Sequence, residues 1–365
     1  MKPTETPVYR PTASSIWNSF LKSGKRHLLL TGGRGTGKTT RINQLRGDLP
    51  GILTHAVPRT GVYMEAFPGG DQVQIGVFDP ALPGPENRMR VIRGSLEEQA
   101  IPMVRKLTEE ADEWAFIDEV GYLECASPAY MDAIRALFAC KRVIAAVRMQ
   151  DTPFLREMRN RADAFCVNLD APFGSVGCVI MASGQSKRFG GNKLLADFHG
   201  EPMISRILAA TDGLFSRRVL VTRHPEISAI CNERGIDVVL HDLPYRSDTV
   251  RLGLEALGDV NGCMFCAADQ PLLRRDTIAS LLLAYADDPA SIWRAAFGET
   301  PGSPVLFPKW AFAELMDLPQ GKGGGYVAGK YLDRVRTIPV QDEYELMDAD
   351  DRDTLERLAN ACAKP

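Results

Sequence analysis

Long apolar runs are missing from this chain. Its most hydrophobic stretches, such as SLLLAYA and VIAAV, are far shorter than the roughly 20 residues that span a bilayer, which excludes a transmembrane helix. An excess of charge of one sign is missing too: 43 Lys and Arg stand against 46 Asp and Glu, a formal net charge of -3. Neither nucleic acid nor a membrane surface is therefore expected as a partner. Histidine is scarce, five in all, scattered, with no HExxH pairing. The eight cysteines are too sparse in 365 residues for a disulfide framework. Cys263 and Cys266 have the spacing of a metal or redox pair. They lie in what reads as a buried strand, however, where residues three apart point to opposite faces, so they are expected to act as small buried hydrophobes. The N-terminal MKPTETPVYRPTASS has no apolar segment of the secretory kind, and the expectation is a cytoplasmic protein.

What is present is an ordinary globular composition, 45% hydrophobic and 24% charged, in a chain long enough for two cores. Residues 1–26 read as a polar arm and a short helix, SSIWNSFLKS. From His27 strands alternate with helices: HLLLTG, then KTTRINQLRGD, then hairpins over THAVPRTGVYMEAFPGGDQVQIGVF, then further strand and helix segments as far as RVIAAVR. NLDAPFGS interrupts the pattern with Pro and Gly, which places a boundary there. The alternation restarts at VGCVIM. The expected architecture is α/β in two domains, 27–172 and 175–365, both with mostly parallel sheets.

LLLTGGRGTGKTT places Gly32, Gly35 and Gly37 before Lys38, Thr39 and Thr40, the G-x-x-x-x-G-K-[ST] spacing between an apolar strand and a helix. Backbone amides of such a loop wrap phosphate, and the helix N-terminus faces it. Lys38 would reach the β- and γ-phosphates of an NTP, and Thr39 would place its hydroxyl on Mg²⁺. EWAFIDEVGYLE ends an apolar strand in Asp118 and Glu119. An aspartate there can hold Mg²⁺, and the adjacent glutamate can polarise an attacking water. With its P-loop, GILTHAVPRTGVYMEAF and IDEVGYLE, this half resembles a family of small P-loop nucleoside triphosphatases first characterised from thermophiles. The resemblance implies phosphate contacts for Arg59 and transition-state charge stabilisation by Arg148; ordinary solvated charges are the alternative for both. The segment ALPGPENRMRVIRGS departs from that family's pattern, which puts turnover at this site in question.

The second loop, VIMASGQSKRFGGNKLL, lacks G-K-[ST] and reads as strand, loop, helix. Ala182, Ser183, Gly184 and Ser186 let a base and ribose lie against backbone, and Arg188 and Lys193 supply two cations for a triphosphate. Charge builds on pyrophosphate as it leaves an attacked α-phosphorus, so paired cations favour nucleotidyl transfer. Asp269 ends a buried strand, well placed for Mg²⁺, and Asp348 and Asp350 in LMDADDRDTLERL are candidates for a second ligand or for helix N-capping. From RFGGNKLL, RSDTVRLGLEAL, ADQPLL, GSPVLF and DADDRDTLERL, this half is similar to the molybdenum cofactor cytidylyltransferases. Together the two resemblances imply a P-loop NTPase sheet followed by a Rossmann-like nucleotidyltransferase fold, and this one implies CMP transfer from CTP to molybdopterin, with delivery to a molybdenum hydroxylase. It places Ser247 and Thr249 on the nucleotide or pterin side and Gly302, Ser303 and Pro304 beside the acceptor, with loop packing as the alternative. Ala182-Ser183 departs from the family's Ala-Ala, which favours CTP and leaves GTP open; Arg246 and Asp248 interrupt a serine-rich run, which leaves the acceptor open. A sugar-1-phosphate nucleotidyltransferase and a nucleotide-gated cofactor carrier remain the alternatives.

Overall fold

The structure is a computed structural model that describes residues 9–70, 72–82, 88–186 and 188–362. The chain divides into two compact units: Gly24–Pro172 forms one, and the residues up to Ser23 join Phe173 onward to form the other. Gly24–Pro172 is thus an insertion after the first helix of the second unit.

That helix, α1 (Ala13–Ser23), is amphipathic and buries Ile16 and Phe20. Its partner is a helix from the far end of the sequence, Arg275–Asp287. Ser19 Oγ donates to Ser280 O at 2.7 Å across that interface. The sequence reading set this helix apart with the arm; its apolar stripe instead completes a core more than 250 residues away.

In the inserted unit eight strands make one sheet. They are β1 (His27–Thr31), β2 (Gly51–Val57), β3 (Gly61–Phe67), β4 (Gln72–Phe78), β5 (Met89–Val91), β6 (Trp114–Val120), β7 (Arg142–Val147) and β8 (Ala164–Asn168). Their order is β5-β4-β3-β2-β6-β7-β1-β8. The β1 side is parallel and the β2–β5 side is an antiparallel meander, so the hairpins expected from the sequence lie on one half of the sheet. β1 is buried along its whole length and passes directly into the first glycine loop and α2 (Lys38–Arg46). The helices α3 (Ile101–Glu109), α4 (Pro128–Cys140) and α5 (Pro153–Arg159) follow. Proline opens α4 and α5, behind Ser127 and Thr152 N-caps that accept from Tyr130 N and Leu155 N, both at 3.2 Å.

The second unit has a seven-stranded sheet and a two-stranded hairpin. β9 (Val176–Ala182) leads into the second loop, and a short hairpin β10 (Asp197–Phe198) and β11 (Glu201–Pro202) follows it. The helix expected directly after that loop is a single 3₁₀ turn, Lys193–Leu195, and the first full helix is α6 (Ile204–Ala210). β12 (Arg217–Thr222), α7 (Pro225–Glu233), β13 (Asp237–Leu240), α8 (Arg246–Leu257), β14 (Gly262–Ala267) and α9 (Arg275–Asp287) come next. β15 (Ile292–Phe297), β16 (Thr300–Pro308) and β17 (Val335–Pro339) complete the sheet, in the order β13-β12-β9-β14-β16-β15-β17. β13, β12, β9 and β14 are parallel, while β16 runs antiparallel between β14 and β15. α8 crosses β9 at Gly253, where a Cβ would lie 2.5 Å from Val179 Cγ1, so only glycine admits this approach. Cys263 and Cys266 are fully buried on β14, and Cys266 Sγ meets Cys178 Sγ at 3.8 Å rather than Cys263.

Phe20 is 1% exposed, and Phe20→Ala is expected to cost about 3–5 kcal/mol, the usual range for a buried aromatic. Hydrogen exchange by mass spectrometry should show the loss of protection in α9 and β17, leaving β1 and β6 of the inserted unit as they are.

Candidate active sites

Gly32, Gly35 and Gly37 take φ of 137°, 76° and 89°, values that side chains resist, and this coils the first loop around its own lysine. Lys38 Nζ donates to Gly32 O at 2.8 Å and Gly33 O at 2.7 Å. Burial pulls the Lys38 pKa down, against the opposing pull of Glu119, Asp170 and Asp118. Thr39 and Thr40 are exposed at the start of α2. Asp118 is only 5% exposed, inside β6 rather than beyond its end. Burial raises its pKa to about 6, although a hydrogen bond from Thr39 opposes the shift. Its Oδ1 is buried with no hydrogen-bond partner. An orphaned carboxylate oxygen beside a hydroxyl suits a hard cation such as Mg²⁺, so the residues present fit that ion.

Glu119 is held by Arg148, whose Nε lies 2.7 Å from Oε1. Both line a cavity of about 870 Å³, together with the glycine loop, Lys38, Thr39, Thr40 and Arg59. Arg59 reaches it from the β2–β3 turn in a left-handed conformation, φ 58°. The structure therefore brings Arg59, Arg148, Glu119 and the P-loop together. It also adds Glu124, the last residue of IDEVGYLE, to which the motif by itself assigns no role. Glu124 is 2% exposed and accepts from Gly121 N at 3.0 Å, and burial, then the Glu119 charge, raises its pKa to about 7. Of the segment noted as departing from the family pattern, residues 83–87 lie outside the described residues, and Met89 and Arg88 line the cavity.

In the second unit the loop after β9 is held from one side by three consecutive residues at the end of β12. Thr222 Oγ1 donates to Ala182 O at 3.0 Å, Arg223 Nε to Ser183 O at 2.9 Å and His224 Nε2 to Gly184 O at 2.9 Å. Ser186 takes a positive φ of 50°, and its Oγ accepts from Lys193 N at 3.4 Å. On the other side the four charged residues expected to act together do meet. Lys193 Nζ lies 2.6 Å from Asp269 Oδ2 and 3.2 Å from Asp350 Oδ1, and Arg188 lies 2.7 Å from Asp350 Oδ2. Burial opposes the charge on Lys193, but Asp269 and Asp350 outweigh it and raise its pKa. Asp348 stands beside them, its pKa raised to about 6 by burial and then by Asp269 and Asp350.

A zipper aligns these acids. Ala349 N donates to Asp269 O at 2.8 Å, Gln270 Nε2 to Leu346 O at 2.8 Å and Arg274 N to Glu345 Oε1 at 3.1 Å. Among the described residues no group of three or more His, Cys, Asp or Glu side chains is arranged to hold a metal ion. The hard oxygen donors Asp269 and Asp350 suit Mg²⁺ in kind, with Lys193 now between them. Ser247 and Thr249 are buried in the first turn of α8, and among the described residues neither is bonded to this cluster. Asp248 caps that helix, accepting from Tyr245 N at 3.1 Å, which explains its place within the serine run. Gly302, Ser303 and Pro304 lie within β16 rather than in a loop, and Gly302 O accepts from Arg294. No signal in the sequence pointed to Arg223, His224 or Gln270, whose partners are all remote.

Two nucleotide-binding α/β domains thus share this chain, one built on a P-loop and one on a Rossmann-like crevice with a cation–carboxylate cluster. Residues 27–171 match the NTPase family and residues 178–335 the MobA-like NTP transferase domain, so the chain joins an NTPase domain to an NTP transferase domain. Among known proteins it is 39% identical over 61 residues to the 3-deoxy-manno-octulosonate cytidylyltransferase of Neisseria meningitidis serogroup A, a match of 16% of this chain and 24% of that one. The chain therefore spans about a quarter of the length of the curated relatives it matches. Among solved structures, Rv0371c from Mycobacterium tuberculosis H37Rv is 22% identical with a TM-score of 0.46, over 51% of this chain and 98% of that one. THEP1 from Aquifex aeolicus is 24% identical with a TM-score of 0.33, over 39% and 89%. No helix among the described residues is long and apolar enough to cross a membrane.

Glu124 gives the NTPase domain a pH signature. A carboxyl with a folded pKa of about 7 and an unfolded one near 4.5 contributes stability that is present below 4.5 and lost as pH rises through 7. Between about pH 5 and about pH 8 the hydrogen-exchange stability of β1 and β6 is expected to fall in the wild type and to fall less in Glu124→Gln.

Proposed function

We propose that the transferase domain moves CMP from CTP to the molybdopterin of the molybdenum cofactor, with release of pyrophosphate, and that the NTPase domain hydrolyses NTP. On this reading the protein is a cytoplasmic, Mg²⁺-dependent enzyme whose product goes to a molybdenum hydroxylase. The observation that carries it is the convergence of Arg188 and Lys193 on Asp269 and Asp350 at the carboxyl ends of β9 and β14. The cytidylyltransferases matched over 61 residues support the choice of CTP.

An oxygen of the acceptor's phosphate forms a bond to the α-phosphorus of CTP. The bond from that phosphorus to the α–β bridging oxygen breaks, and pyrophosphate leaves with the electron pair. Lys193, 9% exposed and held between carboxylates, is a fixed charge under the phosphates. Arg188, 71% exposed, can leave Asp350 and follow the departing group. Asp269 and Asp350 here, and Thr39 and Asp118 in the NTPase domain, are the residues that would hold Mg²⁺, which would supply positive charge to the phosphates. Ala182, Ser183, Gly184 and Ser186 form the floor under the nucleoside, with Ser247 and Thr249 to one side. In the NTPase domain Lys38 exchanges its loop carbonyls for phosphate, and Glu119, oriented by Arg148, takes the proton of the attacking water.

A sugar acceptor is the second reading, favoured by the sugar-acid cytidylyltransferases that the chain matches. The test is pyrophosphate release with Mg²⁺, molybdopterin cofactor and CTP, GTP, ATP or UTP in turn. CTP-dependent release with dinucleotide formation is expected. Lys193→Ala should lose at least about a hundredfold in transfer and keep NTP hydrolysis, and Lys38→Ala should do the reverse. Release only with a sugar or sugar phosphate would select the second reading, and normal transfer by Lys193→Ala would overturn the site.

A further inference from the structure

Ser183 is the first residue after β9, and His241 the first after β13, with β12 between the two strands. Both side chains are half-buried and meet over the carboxyl end of β12, where His241 Nε2 lies 2.8 Å from Ser183 Oγ. Every proton in this contact can be assigned. Leu243 N–H donates to His241 Nδ1 at 3.2 Å, so that nitrogen is the acceptor and Nε2 carries the hydrogen. Burial, then the Arg223 charge, lowers the His241 pKa and keeps the ring neutral. Nε2–H therefore donates to Ser183 Oγ, and the Ser183 hydroxyl donates in turn to Val221 O at 3.1 Å.

A hydroxyl has one hydrogen and two lone pairs. Here the hydrogen is committed to Val221 and one lone pair to His241. A single acceptor site remains, and it cannot be turned into a donor without breaking the hydrogen bond to Val221 O. The loop cannot swing away either, because Thr222, Arg223 and His224 hold the carbonyls of Ala182, Ser183 and Gly184.

The position of the pair says what it faces. The charged cluster that handles phosphates lies toward β14, on one side of β9, through Asp269. Ser183 and His241 lie toward β12 and β13, on the other side. A nucleotide lying across the crevice with its phosphates at Lys193 has its base at this second end.

We infer that the Ser183 hydroxyl, oriented by His241, accepts from the amino group at position 4 of a cytosine base and so sets the domain's preference for CTP over UTP. Uracil has a keto oxygen there, which would face a lone pair with no hydrogen between them. The inference rests on the nucleotidyl-transfer reading and deepens it by assigning the base-reading group. His241 is a positioning residue, since it acts through Ser183.

The test is calorimetric titration of CTP and of UTP, each with Mg²⁺, into the full-length protein carrying Lys38→Ala, so that heat at the P-loop does not obscure the second site. A preference for CTP is expected. Adding Ser183→Ala should reduce the CTP/UTP affinity ratio about tenfold, the worth of one neutral hydrogen bond in a site that must otherwise leave a donor unpaired. His241→Phe should reduce the ratio similarly. His241→Gln, which can still donate to Ser183 and accept from Leu243, should retain more of it, a distinction that mere packing at this position would not make. An unchanged ratio in both Ser183→Ala and His241→Phe would overturn the inference while leaving nucleotidyl transfer standing. CTP binding with no preference over UTP in the parent protein would do the same. Absence of any CTP binding to the parent protein would overturn the nucleotidyl-transfer reading and this inference with it.

Discussion

An ammonium taken out of water must find negative charge, and in the transferase domain that requirement organises the site around Lys193. Its side chain is 9% exposed, and removing both of its carboxylate partners would leave a buried charge uncompensated. Asp269 and Asp350 supply the compensation from segments 76 and 157 residues away. The hydrogen-bond zipper between the Asp269–Arg274 turn and the 345–349 segment, one main-chain bond and two through side chains, exists where these carboxylates have to be held in register. Arg188, far more exposed, joins the same Asp350 and is the solvent-facing partner of a buried one. A site assembled this way is charged on one side and hydrogen-bonded on the other, where Thr222, Arg223 and His224 hold the loop carbonyls.

The NTPase domain meets the same electrostatic problem differently. Lys38 is satisfied by the carbonyls of its own loop, a local solution that needs only glycines with positive φ. Its acids are less well satisfied. Asp118 keeps an unpartnered oxygen, and Glu124 is buried beside Glu119, so both hold protons more tightly than ordinary carboxyls. Acids buried next to a phosphate loop create a demand for positive charge that a bound cation can meet.

The order of the domains along the chain is also physically informative. The NTPase domain leaves the transferase after α1 and returns to it at Phe173, so two chain crossings rather than one tether it. α1 is held by its apolar face, with Ile16 and Phe20 buried and Ser19 bonded to Ser280. The fusion is thus an insertion into an existing core, with one helix of that core left on the N-terminal side.

What the sequence determined by itself is what depends on neighbours in the chain. The glycines of both loops, the G-K-T that follows the first, the buried strands before them and the break at NLDAPFGS are local patterns with local causes, and the two folds were legible from them. Both loops also set lysine, arginine and backbone amides in short compass, the groups that phosphate calls for. Tertiary structure alone decided which charges meet. Nothing in the sequence couples Arg188 to Asp350 across 162 positions, or Ser183 to His241 across 58. It also decided that Glu124 is buried, that Asp248 caps a helix, and that α1 belongs to the distant half. An amphipathic pattern states that a face will be covered, and a charge states that it needs a partner; only the packed chain selects the surface and the partner, because those energies depend on distance in space.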